Sequence, residues 1–299
     1  MDLPEGLTRR PLALSDARAV FEVMAAQELE DVGEVVIEEA DIVGDWQRPS
    51  HDLAASSVGV LDGDRLVAYA EVAGSFFGDA AVHPEYRGRG IGTALSSWMR
   101  DLARSRGMEY VGMAVPEGSA GDKLLESLGY FVRWSSWVLQ LPEGQEIEAQ
   151  PLPAGYAVRT AETEEERRAF HDVVEDAFLE WSERDRESFE DFAARTLGRP
   201  GFEPWNLRIV TDPSGACVGS CYLQLSETTG YVSQLAVRDD QRHKGLARAL
   251  LADAFSNARE HGATVSELST DSRTGALGLY EKVGMVVTSN WVHRSYKLS

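Results

Sequence analysis

The chain has 299 residues, 43% of them hydrophobic, and a formal net charge of −20. That length can bury two ordinary cores, while no apolar run reaches the roughly 20 residues that cross a bilayer. The charge argues against nucleic acid or an anionic membrane as partner, because phosphate binding needs a basic face.

In chain order, Met1-Asp2-Leu3-Pro4-Glu5 has neither the positive region nor the apolar core of a signal peptide, so a cytoplasmic location is expected. A strand at 7–9 is followed by helices at 15–29 and 38–46. A hairpin then runs from 57–61 through the turn Asp62-Gly63-Asp64 to 66–72. A strand at 79–82 leads into a loop, Arg87-Gly88-Arg89-Gly90-Ile91-Gly92, and a helix in which Ile91, Leu95, Trp98, Met99 and Leu102 recur at helical spacing. A strand at 110–115, a short helix at 124–128 and a strand at 131–141 complete this half. Residues 142–155, rich in Pro, Gly and Glu, read as a linker.

The second half repeats the plan. A strand at 156–159 precedes acidic helices over 163–197, and a hairpin follows, 207–211 and 217–225 around Asp212-Pro213-Ser214-Gly215. A strand at 231–237 runs into the loop Arg242-His243-Lys244-Gly245-Leu246-Ala247 and a helix carrying Leu250, Leu251, Ala254, Phe255 and Ala258. A strand at 265–270, a helix at 277–283 and final strands close the chain. Arg87 to Gly129 and Arg242 to Gly284 are both 42 residues, so the two halves share one offset of 155. A repeat of that length is a whole domain: 1–141 and 156–299, each mixed α/β.

In each half a strand, a glycine turn and a helix start together aim several backbone N–H groups at one place. The helix dipole adds about half a positive charge there, which makes a cradle for phosphate or pyrophosphate. Neither loop has the spacing of a nucleotide P-loop or of a dinucleotide fingerprint. Cys217 and Cys221, four apart on a strand, read as buried free thiols. The histidines at 51, 83, 171, 243, 261 and 293 show no metal-ligand spacing, so no metal is expected.

Arg/Gln-x-x-Gly-x-Gly/Ala between a strand ending in Val and an amphipathic helix resembles the acyl-CoA loop of the GNAT acetyltransferase superfamily. The run Leu279-Tyr280-Glu281-Lys282-Val283-Gly284-Met285 resembles that superfamily's second signature, where a tyrosine sits near the thioester sulfur. The tandem layout is similar to mycothiol synthase and related actinobacterial two-domain acetyltransferases. The resemblance implies two tandem GNAT folds and an acetyltransferase that uses acetyl-CoA and a small-molecule amine. It implies coenzyme contacts at Leu235, Ala236, Val237, Arg242, His243, Lys244, Gly245, Leu246 and Ala247. The matching positions of the first half are Ala81, Val82, Arg87, Gly88, Arg89, Gly90, Ile91, Gly92 and Thr93, either a second acetyl-CoA site or a relic turn.

Tyr280 lies 38 residues after Arg242, and the matching residue of the first half is Leu125. The resemblance gives Tyr280 the role of proton donor to departing CoA thiolate, a role leucine cannot fill, so the second half is expected to be catalytic. Glu227 and Glu267 are candidates for the base that deprotonates the amine, each set against a solvated surface carboxylate. The acidic residues of 162–191 read either as a border for a cationic acceptor or as solvated helix faces. The strand 218–224 lacks the His- and Lys-containing pattern associated with mycothiol synthase. A general small-molecule N-acetyltransferase is therefore ranked above mycothiol synthase; Tyr280 weighs against a non-catalytic acyl-CoA-binding module, and a protein acetyltransferase stays open as a further alternative.

Overall fold

The computed structural model describes residues 1–74, 76–148 and 150–298. It divides into two compact units: residues 1–135, 194–200 and 290–299, and residues 136–193 and 201–289.

The first unit runs β1 (Leu7–Arg10), α1 (Ala17–Asp31), α2 (Glu39–Trp46), α3 (Leu53–Ser56), β2 (Ser57–Asp62), β3 (Arg65–Ala73), β4 (Phe77–Val82), α4 (Ile91–Ser105), β5 (Tyr110–Pro116), α5 (Ala120–Ser127) and the start of β6 (Phe131–Gln140). Its sheet has the order β1-β2-β3-β4-β5, antiparallel except for the parallel β4/β5 pair. The apolar face of α4 (Ile91, Leu95, Met99, Ala103) packs on Val67, Val111 and Met113. On the other side Val20 and Val23 of α1, with Ile42 and Trp46 of α2, pack on Leu61 and Tyr69. Short α5 begins four residues earlier than its apolar pattern indicates, because Ser119 caps it by accepting a hydrogen bond from Asp122 N.

The second unit runs β7 (Ala157–Thr160), α6 (Glu164–Phe178), α7 (Phe189–Phe192), β8 (Leu207–Thr211), β9 (Cys217–Ser226), β10 (Thr229–Val237), α8 (Leu246–Glu260), β11 (Val265–Asp271), α9 (Leu277–Lys282) and the start of β12 (Val286–Lys297). Its order β7-β8-β9-β10-β11 repeats the first sheet, again with one parallel pair, β10/β11. Leu250, Leu251, Ala254 and Phe255 of α8 join Val210, Leu223, Val232 and Leu268 in one core. The acidic stretch is not continuous helix: 179–188 leaves α6 and is tied back by Arg184, which grips Glu175 through both guanidinium ends at 2.6 and 2.8 Å.

The last strand of each half departs from the expectation. Ser136–Gln140 of β6 pairs with β11 in the second unit, and Trp291–Lys297 of β12 pairs with β5 in the first. Residues 194–200 also belong to the first unit, where Arg199 binds Asp41 at 2.8 Å and Glu38. Sequence pattern marks a strand but not its partner, and both exchanges are partner choices. Among the described residues no helix is long and apolar enough to cross a membrane.

The sheet of the first unit holds buried acids. Burial, with the Asp79 carboxyl nearby, pushes Glu71 from 4.5 up to about 7, while Trp46 Nε1 donates to it at 2.8 Å. The folded form then holds a proton that the unfolded chain releases, so stability falls as pH rises from about 4.5 to about 7. The loss is at most about 3 kcal/mol. Urea melts across that range should show this fall, and Glu71→Gln should flatten it.

Candidate functional site

Each glycine loop is built as its sequence requires. Gly90 (φ +87°) and Gly245 (φ +77°) are the N-caps of α4 and α8, in the left-handed region that a side chain strains. The first-turn N–H groups of both helices therefore point into the loop. His243 shares this geometry at φ +64°, which makes it a loop residue.

The flanking cations are paired within the protein. Arg87 is held by both oxygens of Asp31 at 2.7 and 2.8 Å. Arg242 is held by Glu180 at 2.6 Å and by Asp239 at 3.1 Å. Lys244 bonds Tyr156 Oη and Gln241 Oε1 at 3.1 and 2.7 Å. These contacts brace the loops against neighbouring elements. Arg89 lies over the Tyr86 ring at 4.6 Å and donates to Glu85 O at 3.1 Å.

Beside each loop the parallel strands fork. Among the described residues β4 and β5 pair at Phe77↔Gly112, whereas β10 and β11 pair from Thr229↔Val265 to Val232↔Leu268 and then part. In β4, His83 N turns to Val67 O at 2.9 Å, so by alternation the N–H groups of Ala80 and Val82 face the fork. Both are taken: Ala80 N by Asp79 Oδ1 at 2.9 Å, Val82 N by Gln27 Oε1 at 3.0 Å. In β10, Arg238 N turns to Val218 O at 3.0 Å, so Leu235 and Val237 face the fork. Among the described residues these two N–H groups have no acceptor. The first fork is self-capped, and the second presents a free strand edge. The first fork also opens on a small cleft bordered by Glu28, Asp31 and Asp79.

Tyr280, on α9, is buried within the α8 core, where its phenol is near Cys221 and Tyr231. Burial first, and these neighbours second, push its pKa above the ordinary 10, so it stays protonated at neutral pH. At the matching place Leu125 is an apolar core residue, and nearby Tyr130 Oη is engaged with Ser96 Oγ at 3.0 Å.

The two candidate bases separate. Glu227 sits at φ +42° in the turn between β9 and β10, at the end where β10 and β11 are paired rather than forked. Glu267 is buried, not a solvated surface carboxylate, and accepts from Gln140 Nε2 at 2.7 Å. It stands beside Tyr231, one register step before the fork. Sequence reading missed Gln140, Gln27 and Asp31, because each acts across a long sequence gap. It also missed a histidine–acid group: His171 and Glu175, one turn apart on α6, come within 4.8 Å of Glu187. Arg184 holds both Glu175 oxygens, which makes this group an ion-paired anchor for 179–188.

Residues 22–130 and 163–285 each match the sequence profile of the Acetyltransferase (GNAT) family. A mycothiol acetyltransferase of Salinispora arenicola is 27% identical over 263 residues, 85% of this chain and 84% of that protein. The crystal structure of a GCN5-related N-acetyltransferase from Sphaerobacter thermophilus superposes with a TM-score of 0.76 at 28% identity, covering 99% of this chain and 97% of its own. A tandem GNAT protein from the clavulanic acid biosynthesis pathway superposes at 0.75 with 18% identity, covering 98% of this chain and 99% of its own, a likeness of fold.

Proposed function

The chain belongs to the GNAT acetyltransferase family, and from that premise we propose that its second unit carries acetyl from acetyl-CoA to the primary amine of a small molecule. The observation that carries this reading is the free strand edge at Leu235 and Val237, whose side chains share one core with Leu246, at the start of the helix capped by Gly245, and with the buried Tyr280. An acyl-CoA arm is an extended chain with amides, which can bond to such an edge, while its pyrophosphate takes the α8 N–H groups. The amine attacks the thioester carbonyl, the C–S bond breaks, and Tyr280 gives its proton to the leaving sulfur. A thiolate, whose acid has a pKa near 8.5, leaves more readily when protonated. Glu267 takes the proton lost by the amine.

The acceptor is read as an amino sugar, an amino-acid derivative or an antibiotic-like amine. A mycothiol precursor is the second reading, favoured by the relatives' name. Release of free thiol from acetyl-CoA, followed over a panel of such amines with the mycothiol precursor included, tests both. Release with none of them would overturn the assignment to small amines and leave peptide acceptors to be tried.

The capped fork gives a binding prediction. Coenzyme entering the first fork must displace the two caps, each contributing about 0.5–1.5 kcal/mol, so the first unit should bind CoA roughly 5–150-fold more weakly than the second. Titration calorimetry should find one tight equivalent, and Gln27→Ala should strengthen the weak one. Two equivalents of equal affinity in the wild type would refute the capping argument.

A further inference from the structure

The face of the second sheet opposite α8 carries a polar row. Across four strands, Gln224 pairs with Tyr231, Tyr231 with Glu267, and Glu267 with Gln140. The next row along is Leu223, Val232, Leu268 and Leu139, all within the α8 core. Because side chains alternate across a sheet, the polar row faces the other way, toward the side of α6. Ser220 confirms that direction, since its Oγ donates to Phe170 O on α6 at 3.2 Å. The row lies at the fork, one step before the last paired residues.

We propose that Gln140 is a positioning residue for the proton acceptor of the acetyl transfer, holding the Glu267 carboxylate toward an amine that stands over this row. The inference rests on the reading of Glu267 as base. Its amide Nε2 donates to Glu267 Oε2 at 2.7 Å, which fixes the rotation of a carboxylate that is 7% exposed. Tyr231 Oη, bonded to Ser269 Oγ at 2.7 Å, bounds the same place on the next strand. Gln140 comes from β6, the strand that follows the first repeat in sequence yet closes the second sheet. The strand exchange thus supplies the second unit with a side chain that its own repeat does not encode. A neutral amide suits the role: it orients the carboxylate without supplying a cation that would strip its basicity.

The test is the pH profile of kcat/KM with the fastest amine of the panel, in wild type, Glu267→Gln and Gln140→Leu, with thermal melts alongside. Leucine keeps the volume and removes the donor, so the carboxylate becomes easier to protonate. The acidic limb should move to higher pH by about half a unit or more, and kcat should fall several-fold while KM for acetyl-CoA holds. Glu267→Gln should abolish the limb. If Glu267→Gln abolishes it but Gln140→Leu leaves its midpoint in place, Gln140 is only structural and the base stands. If Glu267→Gln keeps the limb, the base reading falls and this inference with it. A limb lost in Gln140→Leu together with a collapsed melt also counts against positioning, and Gln140→Met, which again lacks a donor, then decides whether the shift survives in a folded protein.

Discussion

Phenylalanine at Tyr280 should lower turnover about 100-fold or more and leave acetyl-CoA affinity within about a factor of two, because general acid catalysis contributes at least that much. The fold should tolerate the change. The ring remains in the α8 core, and burial and neighbouring groups, not a side-chain hydrogen bond, set the state of its hydroxyl. The raised pKa of the phenol agrees with a donor role, since a group that holds its proton at neutral pH can deliver it to a sulfur carrying developing negative charge. Steady-state kinetics together with calorimetry of CoA binding separate the two effects. Unchanged turnover with a good amine would remove Tyr280 from the mechanism.

Valine at Gly245 should abolish activity, while valine at Gly90 should spare most of it. The pair is informative because the strain is matched: φ is +77° at one and +87° at the other, and a β-branched residue there costs about 1–3 kcal/mol at either place. No atom lies closer than 4.0 Å to a Cβ at Gly245, and none within 4 Å at Gly90, so crowding inside the protein does not distinguish them. Similar losses of melting temperature are therefore expected. A difference in turnover then reports which helix start holds the reacting coenzyme. Loss of turnover in Gly90→Val with a working Gly245→Val would reverse the assignment of the catalytic half.

Much of this was legible in the sequence. The two loops, their shared offset and the strand–loop–helix order follow from local rules: glycine where φ is positive, apolar residues at helical or alternating spacing, turn residues between them. These read well because the backbone angle and the buried face belong to a few neighbouring residues. Tyr280 could be named as the candidate acid for a similar reason, as one residue in a short signature whose counterpart, Leu125, has no proton to give.

What only the tertiary structure decided is which distant groups meet. The half-strand Ser136–Gln140 reads as the end of the first repeat, yet it hydrogen-bonds to β11 and brings Gln140 to Glu267 from 127 residues away. Glu267 itself looks like a surface carboxylate until that strand covers it. Gln27 and Asp31, on the first helix, cap the fork and clamp Arg87 across gaps of 55 and 56 residues. In each case the sequence supplied the functional group and its secondary structure. The chemical state of that group depended on a partner chosen by sheet pairing and helix packing, and those energies sum over many residues far apart in the chain. The sequence alone therefore determined the two folds and the chemistry they carry. Packing decided which fork keeps uncapped strand N–H groups and which carboxylate is buried beside it.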